Sequence, residues 1–243
     1  MSFRLLPLIV GFYGDILPQH TPTILSANIV GYGQSNLRSG ATMVTPQFSP
    51  ITGNTISLES LVPTGENLSD NIDIRVLDAA GRTVDGCTYI WNDWIEDDPC
   101  WANEDFEKVE GVSFAPGQGL WVYGKNTAQG LQSVGQVGFE DVVVTLRSGG
   151  TPTGNPFPVA VGLQDLTPQG ENLSDNIDIR VLDAAGRTVD GCTYIWNDWI
   201  EDDPCWANED FEKVEGVSFA PGQGLWVYGK NTSQSLRFPA PEL

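Results

Sequence analysis

Short stretches of alternating apolar and polar residues, broken every few positions by glycine and proline, set the reading of this chain. Asn71-Ile72-Asp73-Ile74-Arg75-Val76 alternates strictly, the period of a half-buried strand with Ile72, Ile74 and Val76 turned inward. The turn formers Asp78-Ala79-Ala80-Gly81 follow, then Thr83-Val84 and Cys87-Thr88-Tyr89-Ile90-Trp91, and together they predict a β-hairpin. A second hairpin is predicted from Val112-Ser113-Phe114, the turn Ala115-Pro116-Gly117-Gln118-Gly119, and Leu120-Trp121-Val122-Tyr123. Nearer the N-terminus, Ser26 to Tyr32 and Leu37 to Gly40 have a strand-turn-strand rhythm, while Thr45 to Pro50 and Gly53-Asn54 interrupt any helix. Ser57 is placed to cap one short helical turn reaching Leu61, with Glu59 and Ser60 in that turn. Many short strands closely spaced between turns indicate an all-β fold, a sandwich or small barrel with little helix.

The pattern occurs twice. The run Gly65 to Thr127 returns without a change as Gly170 to Thr232. Ahead of it the correspondence is loose: Leu37-Arg38-Ser39-Gly40 reads against Leu146-Arg147-Ser148-Gly149, and Ser57 to Leu61 against Gly162 to Leu166. A repeat of this length is one structural unit, and each unit is large enough to bury a core. The sequence therefore divides into an apolar N-terminal segment and linker (1–24), a first β module (25–130) and a second with a C-terminal tail (131–243). Recent duplication accounts for the identity; equivalent surroundings for the two identical backs, with different neighbours for the fronts, is the alternative.

Residues 3–17 are strongly apolar and have no counterpart before the second module. The segment looks superficially like a secretion signal, yet Asp15 and Pro18 come where a small-x-small cleavage site is expected. Leu5, Leu6, Leu8, Ile9, Val10, Phe12 and Tyr13 would form a strand that needs covering. It either folds back on its own module or adds to a sheet of a neighbouring molecule.

Charge narrows the partners. The net charge is −20, and each identical run carries thirteen Asp or Glu against four Lys or Arg. Such a surface repels phosphate backbones and anionic membranes, which argues against nucleic acid; no run is long enough to span a bilayer as a helix. The four cysteines fall as one pair per module, Cys87 with Cys100 and Cys192 with Cys205. Two intramodule disulfides are expected, each adding about 3 kcal/mol in the chain-entropy model, and with them an extracellular or cell-surface location. Reduced, buried thiols are the other reading. The single histidine, His20, sits in a turn-rich linker, so catalysis built on a histidine base has almost no support.

The order Asn28-Ile29-Val30-Gly31-Tyr32, a glycine turn, Ile56-Ser57-Leu58, the strand containing Asp73-Ile74-Arg75-Val76, Tyr89-Ile90-Trp91 and Ala115-Pro116-Gly117-Gln118-Gly119-Leu120-Trp121-Val122-Tyr123-Gly124 resembles the β-rich repeat modules of uncharacterised secreted proteins from Verrucomicrobia-like bacteria. The resemblance covers positions 28–124 and, less completely, 137–229. It implies secretion and repeat architecture and brings no catalytic residues. The second module departs from it at Val137-Gly138-Phe139-Glu140 and in a shorter loop.

Candidate chemistry gathers at Tyr89 to Trp101 and its copy. Tyr89, Trp91, Trp94 and Trp101, with Tyr194, Trp196, Trp199 and Trp206, lie beside amides and acids. Aromatic faces stack on sugar rings while carboxylates and amides bond hydroxyls, so a polysaccharide ligand is chemically reasonable. The competing reading packs Trp91 and Trp101 into a core and leaves the acids to solvent. The acids could instead hold calcium, a hard cation wanting six to eight oxygens, through Asp97, Asp98 and Asn103 or Asp105, and Asp202, Asp203 and Asp210. Carboxylate pairs for glycoside hydrolysis arise by chance in so acidic a chain, and Gly117-Gln118-Gly119 lacks the following helix of a phosphate loop. The sequence thus leads to a non-enzymatic, extracellular structural protein that assembles with copies of itself into a filament, tube or surface layer, residues 5–14 being donated to the next subunit. The alternative is a bivalent carbohydrate-binding protein.

Overall fold

A computed structural model describes residues 30–48, 55–138 and 140–241. The first half contains β1 (Val30–Asn36), β2 (Gly40–Val44), β3 (Ile56–Ser57), β4 (Leu61–Thr64), β5 (Asp73–Leu77), β6 (Thr83–Asn92), β7 (Cys100–Ala102), β8 (Ser113–Phe114), β9 (Leu120–Gly124) and β10 (Gly130–Gln136). The second contains β11 (Val142–Thr145), β12 (Gly149–Gly154), β13 (Val161–Gly162), β14 (Thr167–Gln169), β15 (Ile177–Leu182), β16 (Thr188–Asn197), β17 (Cys205–Ala207), β18 (Ser218–Phe219), β19 (Gly224–Gly229) and β20 (Ser235–Phe238). The fold is all-β and antiparallel, and the strands of one half pair in the same order as those of the other. A three-stranded sheet, β1-β10-β4 or β11-β20-β14, faces a five-stranded one, β2-β9-β5-β6-β7 or β12-β19-β15-β16-β17; β3-β8 and β13-β18 are two-stranded. β10 belongs to the first half through its pairing with β1 and β4, so it crosses the 130/131 division read from the sequence.

Alternation places the core between the sheets. Ile74, Tyr89, Leu120, Val122 and Trp101 come from the five-stranded sheet, and Leu61 and Leu131 from the three-stranded one. The Trp101 indole N–H donates to the Leu61 carbonyl at 2.9 Å and ties β7 to β4. Ser57 caps a single 3-10 turn, Leu58–Ser60, its Oγ accepting from the Glu59 N–H. The β5–β6 hairpin forms as its alternation predicts, with a bulge between Arg75 and Leu77.

The second expected hairpin does not form. Its turn is present, with the Gln118 N–H donating to the Ala115 carbonyl, but β8 pairs with β3 while β9 lies between β2 and β5. Local turn chemistry reverses the chain; the apolar faces of β2 and β5 then compete for β9 and win it.

The residues of the five-stranded sheets that point away from the cores meet one another. Ala41, Met43, Leu77 and Trp121 of the first half and Trp226 of the second make one buried apolar cluster. The contact is reciprocal. The Ala41 N–H donates to the Ala184 carbonyl and the Gly150 N–H to the Ala79 carbonyl; Gly186 faces the Trp121 ring and Gly81 the Trp226 ring. The Thr45 N–H bonds the Gly222 carbonyl, and the Thr153 hydroxyl the Gly117 carbonyl. The halves are thus joined by an internal, approximately twofold contact in which each identical back meets the other half's divergent front. A contact of this symmetry closes on itself.

Candidate functional site

Loop geometry at the end of β6 decides which aromatic side chains reach the surface. Asn92 is buried, and its Oδ1 accepts the N–H groups of Trp94 and Ile95, both at 3.0 Å. Its Nδ2 donates to Asp70 Oδ1 at 2.8 Å. The other Asp70 oxygen accepts the Trp94 indole N–H at 3.2 Å. Asp70 thus orders the loop and fixes the indole, and Trp94 stands 60% exposed. Phe106, itself 42% exposed, lies against it with ring centroids 5.5 Å apart and planes inclined by 37°.

Both supports adopt backbone conformations that side chains seldom take. Asp70 has φ 55° and Phe106 φ 59°, in the left-handed region; for a bulky residue such as Phe this is an outlier. The Phe106 turn is held by Asn103, whose Oδ1 accepts the N–H groups of Asp105 and Glu107. In the second half Asp175, Asn197, Trp199 and Phe211 repeat the arrangement, with Trp199 equally exposed.

The other predicted aromatic residues are placed differently. Tyr89 and Tyr194 are buried, edge-on to Phe114 and Phe219; burial first, then Cys87 and Cys192, pushes their phenols up to about 12. Trp101 and Trp206 are core residues. Trp91 and Trp196 are half-buried and meet them edge to face, at 5.2 and 5.1 Å. Trp196 and Pro204 line two clefts, one with Glu201, Asp202, Asp203 and Lys213 and the other with Ser174, Asn176 and Asp198. The structure therefore divides the eight aromatic candidates: Trp94 and Trp199 are exposed, Trp91 and Trp196 are half-buried against the cores, and four belong to the cores. Phe106, Phe211, Asp70 and Asp175 were not among the expected residues. Asp70 stands 24 positions from Trp94, and no local pattern joins them.

The expected disulfides are not formed; all four cysteines are free. β6 and β7 pair so that Cys100 lies opposite Asn92. Cys87 is five positions away along β6, roughly 16 Å at a strand's rise, whereas a disulfide needs its Cα atoms about 4.4–6.8 Å apart. The odd offset also puts the two thiols on opposite faces of the sheet. The argument from cysteines to an oxidising compartment falls with this geometry. Burial pushes the Cys100 and Cys205 thiols up, and Glu96 and Glu201 push them further, so neither is an activated thiolate.

The acids named for calcium do not gather into one cluster. Among the described residues no three His, Cys, Asp or Glu side chains converge on a point, so Asp97, Asp98 and Asp105 form no carboxylate cluster, nor do Asp202, Asp203 and Asp210. The first two of each set lie on the loop after β6 or β16 and the third on the turn after β7 or β17, where Asn103 or Asn208 is already engaged by backbone N–H groups. Leu5, Leu6, Leu8, Ile9, Val10, Phe12, Tyr13 and His20 lie outside the described residues. Among the described residues no helix is long and apolar enough to cross a membrane. No family model, curated protein or solved structure matches this chain.

Proposed function

We propose that the protein binds carbohydrate bivalently, each half offering one aromatic platform, Trp94–Phe106 or Trp199–Phe211, to the apolar face of a sugar ring. The observation that carries this reading is the support given to an exposed indole. One carboxylate fixes its N–H, a second aromatic ring limits its tilt, and two left-handed residues, each costing about 1–3 kcal/mol, hold the parts in place. A tryptophan serving only the core would be turned inward, as Trp101 is. The carboxylates of Asp198, Glu201, Asp202 and Asp203 line the clefts at Trp196 and can accept from sugar hydroxyls, and the acidic surroundings favour neutral glycans over anionic ones. Joining two weak sites raises avidity by a factor of about 10²–10⁴ when one polymer reaches both.

Titrating tryptophan fluorescence with soluble β-glucan, xylan and chito-oligosaccharides tests it. A responding glycan should lose its effect on the Trp94→Ala/Trp199→Ala double variant and bind each single variant without the bivalent gain. Equal binding by the wild type and the double variant defeats the reading.

Self-assembly into an extracellular structure is the second reading. Its support is the outer edge of β1, which pairs only with β10 among the described strands and is preceded in the sequence by a linker and the apolar N-terminal segment. The contact between halves closes within one chain, so a propagating assembly would use a different surface, and this reading assigns it to that segment. Electron microscopy with and without residues 1–17 separates the two readings: fibres that vanish on truncation favour assembly, and discrete particles in both samples oppose it.

A further inference from the structure

The two halves act as controls for each other, and they differ on the outer face of the three-stranded sheets. In the first half Tyr32 on β1 is 56% exposed and stands directly opposite Val134 on β10, which is 54% exposed. Val62, on β4, continues the patch one register step away, opposite Gln132. In the second half the equivalent positions are Asp141, Pro239 and Thr167. There Arg237 pairs with Asp141 at 2.6 Å, and the Ala240 N–H bonds the same carboxylate at 2.8 Å. That face is finished with an ion pair and the chain's own C-terminal residues. On its counterpart the Tyr32, Val62 and Val134 side chains stand exposed, with no such pair beside them among the described residues.

We propose that the Tyr32–Val62–Val134 face is the docking surface for this chain's own N-terminal segment, Leu5 to Tyr13. The half that exposes three apolar side chains on this face is the half that an apolar segment precedes; the other half, entered through the short link after β10, exposes one valine there, Val143, opposite Arg237 of the ion pair. Between Tyr13 and β1 lie enough residues, at about 3.3 Å each when extended, to carry the segment back across three strands spaced roughly 4.8 Å apart. Phe3 to Leu17 holds one Arg and one Asp, so the segment brings no net charge to a strongly acidic molecule and its approach is unopposed. Leucine, isoleucine and aromatic side chains against Tyr32 and the two valines remove apolar area from water on both partners. This inference is independent of the carbohydrate reading.

Hydrogen exchange on the full chain tests it. Amides of residues 3–13 should exchange at least several-fold more slowly in the wild type than in Tyr32→Asp or Val134→Asp, both exposed positions, while Val143→Asp on the second half leaves them unchanged. Tyr32→Asp should lower the melting temperature of the full chain and have no effect on a chain lacking residues 2–17. Light scattering over a wide concentration range should give the monomer mass. Equal exchange in all variants overturns the proposal. A mass that grows with concentration and returns to the monomer on truncation also overturns it, by placing the segment on a neighbouring molecule.

Discussion

Asp70 does two jobs with one carboxylate, since one oxygen holds the loop through Asn92 and the other holds the Trp94 indole. Replacing it by alanine frees both. Asp70→Ala with Asp175→Ala should weaken glycan binding by about tenfold, the size of a lost hydrogen bond to a charged group, while the buried Trp101 emission stays unchanged; fluorescence titration reads both. Asp70→Asn keeps one of the two acceptor oxygens and should restore part of the affinity. Cysteine behaves as geometry requires. Protein unfolded without reductant should show four thiols to a chromogenic disulfide reagent, and a count of zero would contradict the strand register. The eight aromatic candidates were visible as residue types; which of them are exposed was not. Side-chain direction follows strand parity for Trp91 and Trp101, whereas Trp94 lies on a loop whose shape depends on a carboxylate far away in sequence.

At the scale of elements, the β5–β6 hairpin is the most informative. Its tip turns through Asp78, whose Oδ1 accepts the N–H groups of Ala80 and Arg82, and Gly81 at φ 78° closes the reversal. The tip then reaches the other half, where the Ala79 carbonyl accepts the Gly150 N–H and the Leu77 carbonyl accepts Arg147 Nη1 at 3.0 Å. The hydrogen bond from the Arg82 N–H holds the Asp78 carboxyl below its ordinary range, and that from the Arg187 N–H does the same for Asp183. A lowered folded-state pKa gives stability that is present above the unfolded value, about 3.9 for Asp. It is lost as pH falls through the lower folded-state value. Asp78→Asn/Asp183→Asn should therefore flatten the acid side of a melting-temperature profile below about pH 4 while preserving the fold at neutral pH. Alternation and turn residues made this hairpin legible, because its strands are adjacent in sequence and half-buried. The same reasoning failed for β8 and β9, whose turn is sound but whose partners, β3 on one side and β2 and β5 on the other, come from distant parts of the chain.

For the whole molecule the decisive feature is the reciprocal seam between halves. Trp121 and Trp226 each pack near the glycine of the opposing hairpin tip, in one buried cluster with Ala41, Met43 and Leu77. Trp226→Ala should cost about 3–5 kcal/mol, and denaturant unfolding followed by fluorescence should show the wild type losing both halves in a single transition while the variant separates them into two. The seam also gives the perfect repeat a physical setting, since each identical back packs against the other half and the divergent fronts absorb the asymmetry of chain order. The sequence by itself determined the all-β class, the turns, the core-facing side of β5, the apolar N-terminal segment and the acidic surface, because these depend on residue type and short-range periodicity. Only the tertiary structure decided the strand partners, the separation of Cys87 from Cys100, the scattering of the acids and the exposure of Trp94. Each of these depends on which distant strands share a sheet, in what register, and which face is left for solvent.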